Sequence, residues 1–451
     1  MDSLNNSTFI FLPFSYNDNR KYKAIIDTCD KSESWTLCDD KIKYLLKFVS
    51  DKIDNKNRDK CQCFHYILND SVREKFGLGT DKEWFSTPEH SIKGETVSYK
   101  FRILNAQLFV FSTAIGIISF NIEFEKSDTF WISNALYHLK KVSREKIFNE
   151  KEDSFSTMLD LSVNITNELC NISKVDFFYY ANPSTERANV FSYIEVDSLD
   201  NYKNDLFFLR RCYSDGYIYT ENIEAESREI IKASKEIFWG VSSEAAVCLT
   251  CPSLGRRDFI KNTFFTNFNA QYLFMYVLLL HQKYVLYMFM TNIGIGTYNN
   301  LEPLEEYRNQ LYEFENDFVF SMVTEVPQYQ NLYDRITEVF ALKQIFEDVH
   351  EPLISLEEIR REKDDKESKI REDRVNNALW FLTILSVFSA LIDSFDFSEK
   401  FGGWFLNEKG IIIAQVICIV LIFACLIYNF GSRFIQKIRK NKLKNKSEKN
   451  N

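Results

Sequence analysis

The sequence predicts an α+β cytosolic domain, followed by a long helical stalk and a two-helix transmembrane hairpin. Three observations predict it. Two apolar segments, residues 378–392 and 411–430, lie near the C-terminus, joined by a short acidic stretch and followed by a lysine-rich tail. Just upstream, nearly every residue from 357 to 374 is charged. Further upstream, apolar patterns of period 2 and period 3.6 alternate along the chain. The 451 residues divide accordingly into a mixed α/β domain at 1–255, a helical region and stalk at 256–375, two membrane helices with a short outer loop at 376–432, and a basic cytoplasmic tail at 433–451.

Residues 8–14 and 99–104 alternate as strands do. Residues 107–124 predict a hairpin, with Leu108-Phe109-Val110-Phe111 and Ile117-Ile118-Ser119-Phe120 flanking a turn near Gly116. Helical periods follow at 130–143 and 155–169, and further strands at 175–180, 190–196 and 245–251. The stretch 264–290 is apolar enough to imitate a membrane span, but His281, Gln282 and Lys283 occupy its centre. A charge there costs about 2.5 to 3.5 kcal/mol on insertion scales, so a buried cytosolic helix is predicted, ended by Gly294 and Gly296. From Leu301 the chain is helical in character and divided by Pro303, Pro327 and Pro352. Leu342, Ile345, Val349, Leu353, Leu356 and Ile359 form a stripe that packs against neighbours. Beyond it, opposite charges lie four apart at Arg360 and Asp364, Arg361 and Asp365, Glu362 and Lys366, and Glu367 and Arg371. Such pairs support a helix surrounded by water, as a stalk requires.

The second apolar segment has the roughly 20 residues that cross a bilayer. The first has 15 and is interrupted by Thr383, Ser386 and Ser389. At about 1.5 Å per residue it reaches about 22 Å, short of a hydrocarbon core of about 30 Å. The span therefore recruits polar flanks at 375–377 and 393–397, which need shielding from lipid. Several copies gathered round a wet axis provide that. Asn376, Leu379, Thr383, Ser386, Ala390 and Asp393 fall on one helical seam of mostly small or polar side chains, the arrangement of a pore lining. A stripe that only packs helix against helix is the alternative. After the second span come eight basic residues against Glu448, which places both termini in the cytoplasm of a multi-pass protein of the cell's inner membrane. The loop at 393–410 carries Asp393, Asp396, Glu399 and Glu408 against Lys400 and Lys409, so its mouth, with Ser394, Phe395 and Asp396, concentrates cations.

In this arrangement the chain resembles the CorA-type divalent-cation channels and transporters, with their large cytosolic N-terminal domain, long helix running into the first span, and short outer loop. Those proteins close the first span with Gly-Met-Asn, usually followed by Phe; here the stretch is Ser394-Phe395-Asp396-Phe397. The resemblance implies a homopentamer and a cation channel gated by its cytosolic domain. A carboxylate in place of the Asn amide departs from a filter that selects hydrated magnesium, so Mg2+ or another cation is the permeant ion. The altered motif and enlarged soluble domain are similar to a CorA-like subgroup associated with type III CRISPR defence. That similarity implies an antiviral effector responding to a nucleotide second messenger, an adenosylmethionine–AMP conjugate. A divalent metal transporter, and a membrane-anchored receptor or scaffold without conduction, stand as alternatives.

The net charge of −9 hides a tail of +7 and hence −16 upstream, which excludes general DNA or RNA binding; the tail meets anionic lipid. Met1-Asp2-Ser3-Leu4 lacks the basic start of a signal peptide. Eight of the ten cysteines lie outside the spans, in a reducing compartment. Cys61, Cys63 and His65, and Cys248 with Cys251, resemble zinc spacings, but packing is the preferred reading. The five histidines are scattered and no catalytic motif is present, so no enzyme activity is predicted. Two arginine pairs, Arg210-Arg211 and Arg256-Arg257, are the candidate phosphate contacts for a small nucleotide ligand.

Overall fold

A computed structural model describes residues 5–401, apart from 17, 40–41, 54, 56, 80–83, 93–94, 152, 179–186, 254 and 295–303, together with Val416 and Val420. Two compact units are present, Met1–Glu358 and Ile359–Asn451. The first is built on a large mixed sheet. Its main path runs, in spatial order, Ser154–Thr157, Lys146–Asn149, Phe85–Ser86, Lys100–Phe111, Ile115–Phe124, Asn6–Ser15, Asn189–Glu195, Ala245–Thr250, Ile237–Val241 and Ile230–Lys232. Neighbours are antiparallel except Asn189–Glu195 against Ala245–Thr250, which run parallel in the register Val190 to Ala245 through Glu195 to Thr250.

The central strand Asn6–Ser15 is almost continuously apolar because it is buried on both faces. Ile10, Leu12 and Phe14 enter one core, and Phe9 and Phe11 the other. Pro13 is tolerated there because Asn189–Glu195 pairs only as far as Phe11, while Asp176–Phe177 pairs from Phe14, leaving no ladder bond for the missing N–H. Helices Tyr22–Lys31, Thr129–Leu139, Met158–Ile165 and Tyr202–Arg211 contribute to the first core. Phe259–Asn292, Leu304–Phe318, Pro327–Val339 and the first turns of Leu342–Phe401 contribute to the second.

The predicted strands at 8–14, 99–104, 190–196 and 245–251 are present with small shifts of their ends, and the hairpin is Lys100–Phe111 with Ile115–Phe124. Its turn differs from expectation. The reversal is at Ser112 to Ala114, with Ala114 at φ +67°, and Gly116 lies within the second strand. Glycine is needed there for space rather than bending, since a Cβ would meet the Phe14 ring at 2.1 Å. The helix expected from 155 starts at Met158; residues Ser154–Thr157 form a strand, and Thr157 and Asp160 close a capping box.

Among the described residues one helix, Phe259–Asn292, is long and apolar enough to cross a membrane, and 83% of its most apolar window is buried inside the protein. Its polar centre hydrogen-bonds within the protein at all three residues, with His281 Nδ1 alone left buried without a partner among the described residues. Gln282 Nε2 donates to the Phe318 carbonyl (2.6 Å) and the Tyr333 hydroxyl (3.1 Å), and Lys283 Nζ donates to the Ser243 carbonyl (3.2 Å). His281 Nε2 lies 2.6 Å from Thr113 Oγ1, its ring stacked on Phe111. Burial lowers the Lys283 pKa to about 8.

The last described helix, Leu342–Phe401, runs 60 residues, or about 90 Å. Pro352 lies inside it rather than dividing it; Val349, Leu353 and Leu356 anchor the flanking turns in the core, which offsets the one backbone bond that proline removes. The apolar stripe stops at Leu356, and Ile359 is half exposed. Residues 393–401 continue the helix where a loop was expected to open.

Candidate functional site

From Glu358 to Leu379 the long helix is exposed throughout, apart from Arg360, which is half-buried. Two of the expected charge pairs are seen, Arg360 with Asp364 (3.8 Å) and Glu362 with Lys366 (3.6 Å). At such exposure each contributes a few tenths of a kcal/mol, about enough to hold the helical form and no more. Beyond them the sequence turns apolar, and no described residue covers it. Leu379, Phe381, Leu382 and Leu385 are each 50% exposed or more.

Asn376, Leu379, Thr383 and Ser386 share the expected helical seam and are all exposed. Ala390, Asp393, Ser394, Phe395 and Asp396 lie further along the same helix. Thr383 Oγ1 donates to the Leu379 carbonyl at 2.8 Å. The hydroxyl hydrogen is thereby used within the helix, and the lone pairs it leaves outward can accept but not donate. An oxygen in that state suits a cation better than an anion. Of the segment expected as a second span only Val416 and Val420 are described, both helical and exposed; the remainder of 411–430 and the tail at 433–451 lie outside the described residues.

Of the two arginine pairs, Arg210, Arg211 and Arg256 are seen engaged with carboxylates. Arg210, 1% exposed in the helix Tyr202–Arg211, donates from Nε (2.8 Å) and Nη2 (2.7 Å) to Glu229 Oε2, and Arg211 Nη2 reaches the same oxygen at 2.8 Å. Burial pulls the Arg210 pKa down, and Glu229 opposes it. Arg256 Nη1 lies 3.2 Å from Glu236 Oε2, a carboxyl that Ser253 and Arg256 hold below the usual range. Arg257 opens the next helical stretch. Both pairs were legible as charge clusters; their acidic partners, 18 or more residues away, were not.

Two clefts bordered by described residues indent the first unit. One, of about 310 Å3, is bordered by Asp18, Arg20, Glu306 and Glu313. The other, of about 430 Å3, is bordered by Trp84, Arg102, Asn121, Glu123, Glu125 and Asn269. In the second the Arg102 guanidinium lies 4.1 Å over the Trp84 ring. Each cleft carries more carboxylates than cations. The cysteine spacings do not assemble a metal site: Cys61 and Cys63 enter opposite cores, as do Cys248 and Cys251, and burial raises the Cys248 thiol pKa. Sequence spacing gave no hint that His90 and His138 would meet, yet their rings stack at 3.6 Å beside Glu145. The chain matches no protein-family model, no curated protein and no solved structure.

Proposed function

We propose that the chain is a CorA-like cation channel, several copies of which bring the seam of Asn376, Thr383, Ser386 and Asp393 round a common aqueous axis. The observation that carries this reading is the exposed apolar surface of Phe381, Leu382 and Leu385 on the same helix as an exposed, mostly polar seam. One helix with an apolar and a polar face requires two different environments, lipid on one side and water or a polar partner on the other. Acceptor oxygens along the seam favour a cation such as Mg2+ or K+ over chloride.

The soluble unit is the sensor in this reading. Its clefts carry more carboxylates than cations, and Arg210, Arg211 and Arg256 are already engaged with Glu229 and Glu236. These features support a divalent cation as effector over a nucleotide of the adenosylmethionine–AMP type.

Purified full-length protein in liposomes tests both parts. Expected are cation flux without chloride flux, a dependence on Mg2+, and at least several-fold lower flux in Asp393→Asn/Asp396→Asn because the negative mouth is weakened. An absence of flux for every ion would replace the channel with a membrane-anchored scaffold. Flux that responds only to the nucleotide would restore the arginine pairs as its site.

A further inference from the structure

We infer that His90, His138 and Glu145 form a binding site for a divalent first-row transition metal ion, zinc being the natural candidate. Three separate chain segments converge on it. His90 begins the short strand His90–Ile92, which pairs with Glu95–Val97 outside the main sheet. His138 is in the last turn of the helix Thr129–Leu139. Glu145 immediately precedes the strand Lys146–Asn149 of the main sheet.

The turn between the last two is fixed by its own backbone. Lys141 N donates to the His138 carbonyl (3.0 Å), and Arg144 N (3.0 Å) and Glu145 N (2.9 Å) donate to the Lys141 carbonyl, so the carboxylate is folded back onto the imidazole. His138 Nδ1 lies 2.9 Å from Glu145 Oε1, and His90 Nε2 lies 3.3 Å from the same oxygen. Ligand atoms on a tetrahedron of Zn–N and Zn–O bonds of about 2.05 Å are about 3.3 Å apart. The carboxylate oxygen therefore already stands near the spacing a metal imposes from a nitrogen of each ring, and one donor from each residue falls within 4.8 Å of the others.

A second observation points to a missing partner. His90 Nε2 is buried and has no hydrogen bond of acceptable geometry among the described residues, although it is aimed at the carboxylate. A buried ring nitrogen left in that state is costly, and a metal bond would satisfy it. The side chains are 14% to 20% exposed, enough for an ion to enter and for water to complete its coordination. The rings are tilted by only 22°, so they must turn on binding until their lone pairs converge. Tyr99, at 6.3 Å from one ring and 5.9 Å from the other, packs beside both. Lys141 opposes a cation electrostatically, but its ammonium is drawn over the Tyr137 ring at 3.7 Å.

Two imidazoles and a carboxylate select zinc, cobalt or nickel; magnesium and calcium prefer all-oxygen sites. Such an ion would staple the His90–Ile92 hairpin to the helix end and the sheet edge. This site stands apart from the channel reading.

Full-length protein in detergent, stripped with a chelator, is titrated with Zn2+ by calorimetry and with Co2+ by visible absorption. Expected are one equivalent per chain, cobalt d–d bands without sulfur-to-cobalt charge transfer, and no displacement by excess Mg2+. His90→Ala and His138→Ala abolish the stoichiometric step, Glu145→Gln weakens it more than about tenfold, and His350→Ala leaves it intact. Zn2+ raises the melting temperature of the wild type and not of Glu145→Gln, a near-isosteric change that keeps the fold. Binding that survives in the His90→Ala/His138→Ala double variant, thiolate charge transfer, or no binding at all overturns the assignment and leaves the three residues as a hydrogen-bonded cluster.

Discussion

Gly116 and Phe14 face each other across adjacent strands, and the ring occupies the space a side chain would need. Gly116→Ala is expected to cost about 1 to 3 kcal/mol by overpacking, read as a lower melting temperature. A variant that melts with the wild type would mean that the ring moves freely. Lys283 offers a pH readout. Burial sets its folded-state pKa at about 8, while the unfolded chain keeps it near 10.5. Between those values the folded protein binds fewer protons, so this residue makes stability climb as pH rises across the window, by about 3 kcal/mol at most. Comparison with Lys283→Met isolates the effect: the wild type should gain on the variant between pH 8 and 10, and parallel melting curves would show that the amine stays charged.

At the level of elements, legibility followed length with two exceptions: the six-residue strand Cys63–Leu68 went unpredicted, and the short Asp176–Phe177 lies within the strand expected at 175–180. The strands at Asn6–Ser15, Lys100–Phe111, Ile115–Phe124 and Ala245–Thr250 carry at least six residues of pattern, and the sequence predicts them. Phe85–Ser86, Trp35–Leu37 and Ile230–Lys232 are too short to have a period, and only their partners make them strands. Pro352 predicts a break because proline removes a bond; tertiary anchoring of Val349 and Leu353 outweighs it. The proposed metal-ligand cluster joins residues up to 55 apart from a short strand, a helix end and the turn after it, which no local pattern encodes. The exposed charged stretch gives the long helix a testable phase. If it transmits the sensor's state to the seam, two residues inserted after Lys366 rotate the downstream turns by about 200°, whereas seven return them to within about 20°. The expected outcome is a Mg2+ response of liposome flux that survives the longer insertion and is lost with the shorter; equal responses would exclude a phased coupling.

For the whole molecule, the described residues separate into a body with two apolar cores and a long helix on which Leu379, Phe381, Leu382 and Leu385 are at least half exposed. All of the first unit's large clusters lie before Glu358. A chain ending at Arg374 should therefore purify without detergent and melt within a few degrees of the full-length body; aggregation would show that the body depends on the segments beyond Arg374. The sheet topology has a further consequence for biosynthesis. The central strand leaves the ribosome about 110 residues before the strand that flanks it through Thr8 and Ile122, and nearly 190 before the one that pairs Asn6 with Ile194. At about 5 to 20 residues per second its second edge waits roughly 10 to 40 s. Throughout that interval Phe9-Ile10-Phe11-Leu12 keeps one edge unpaired, an apolar ribbon open to association until the later strand emerges.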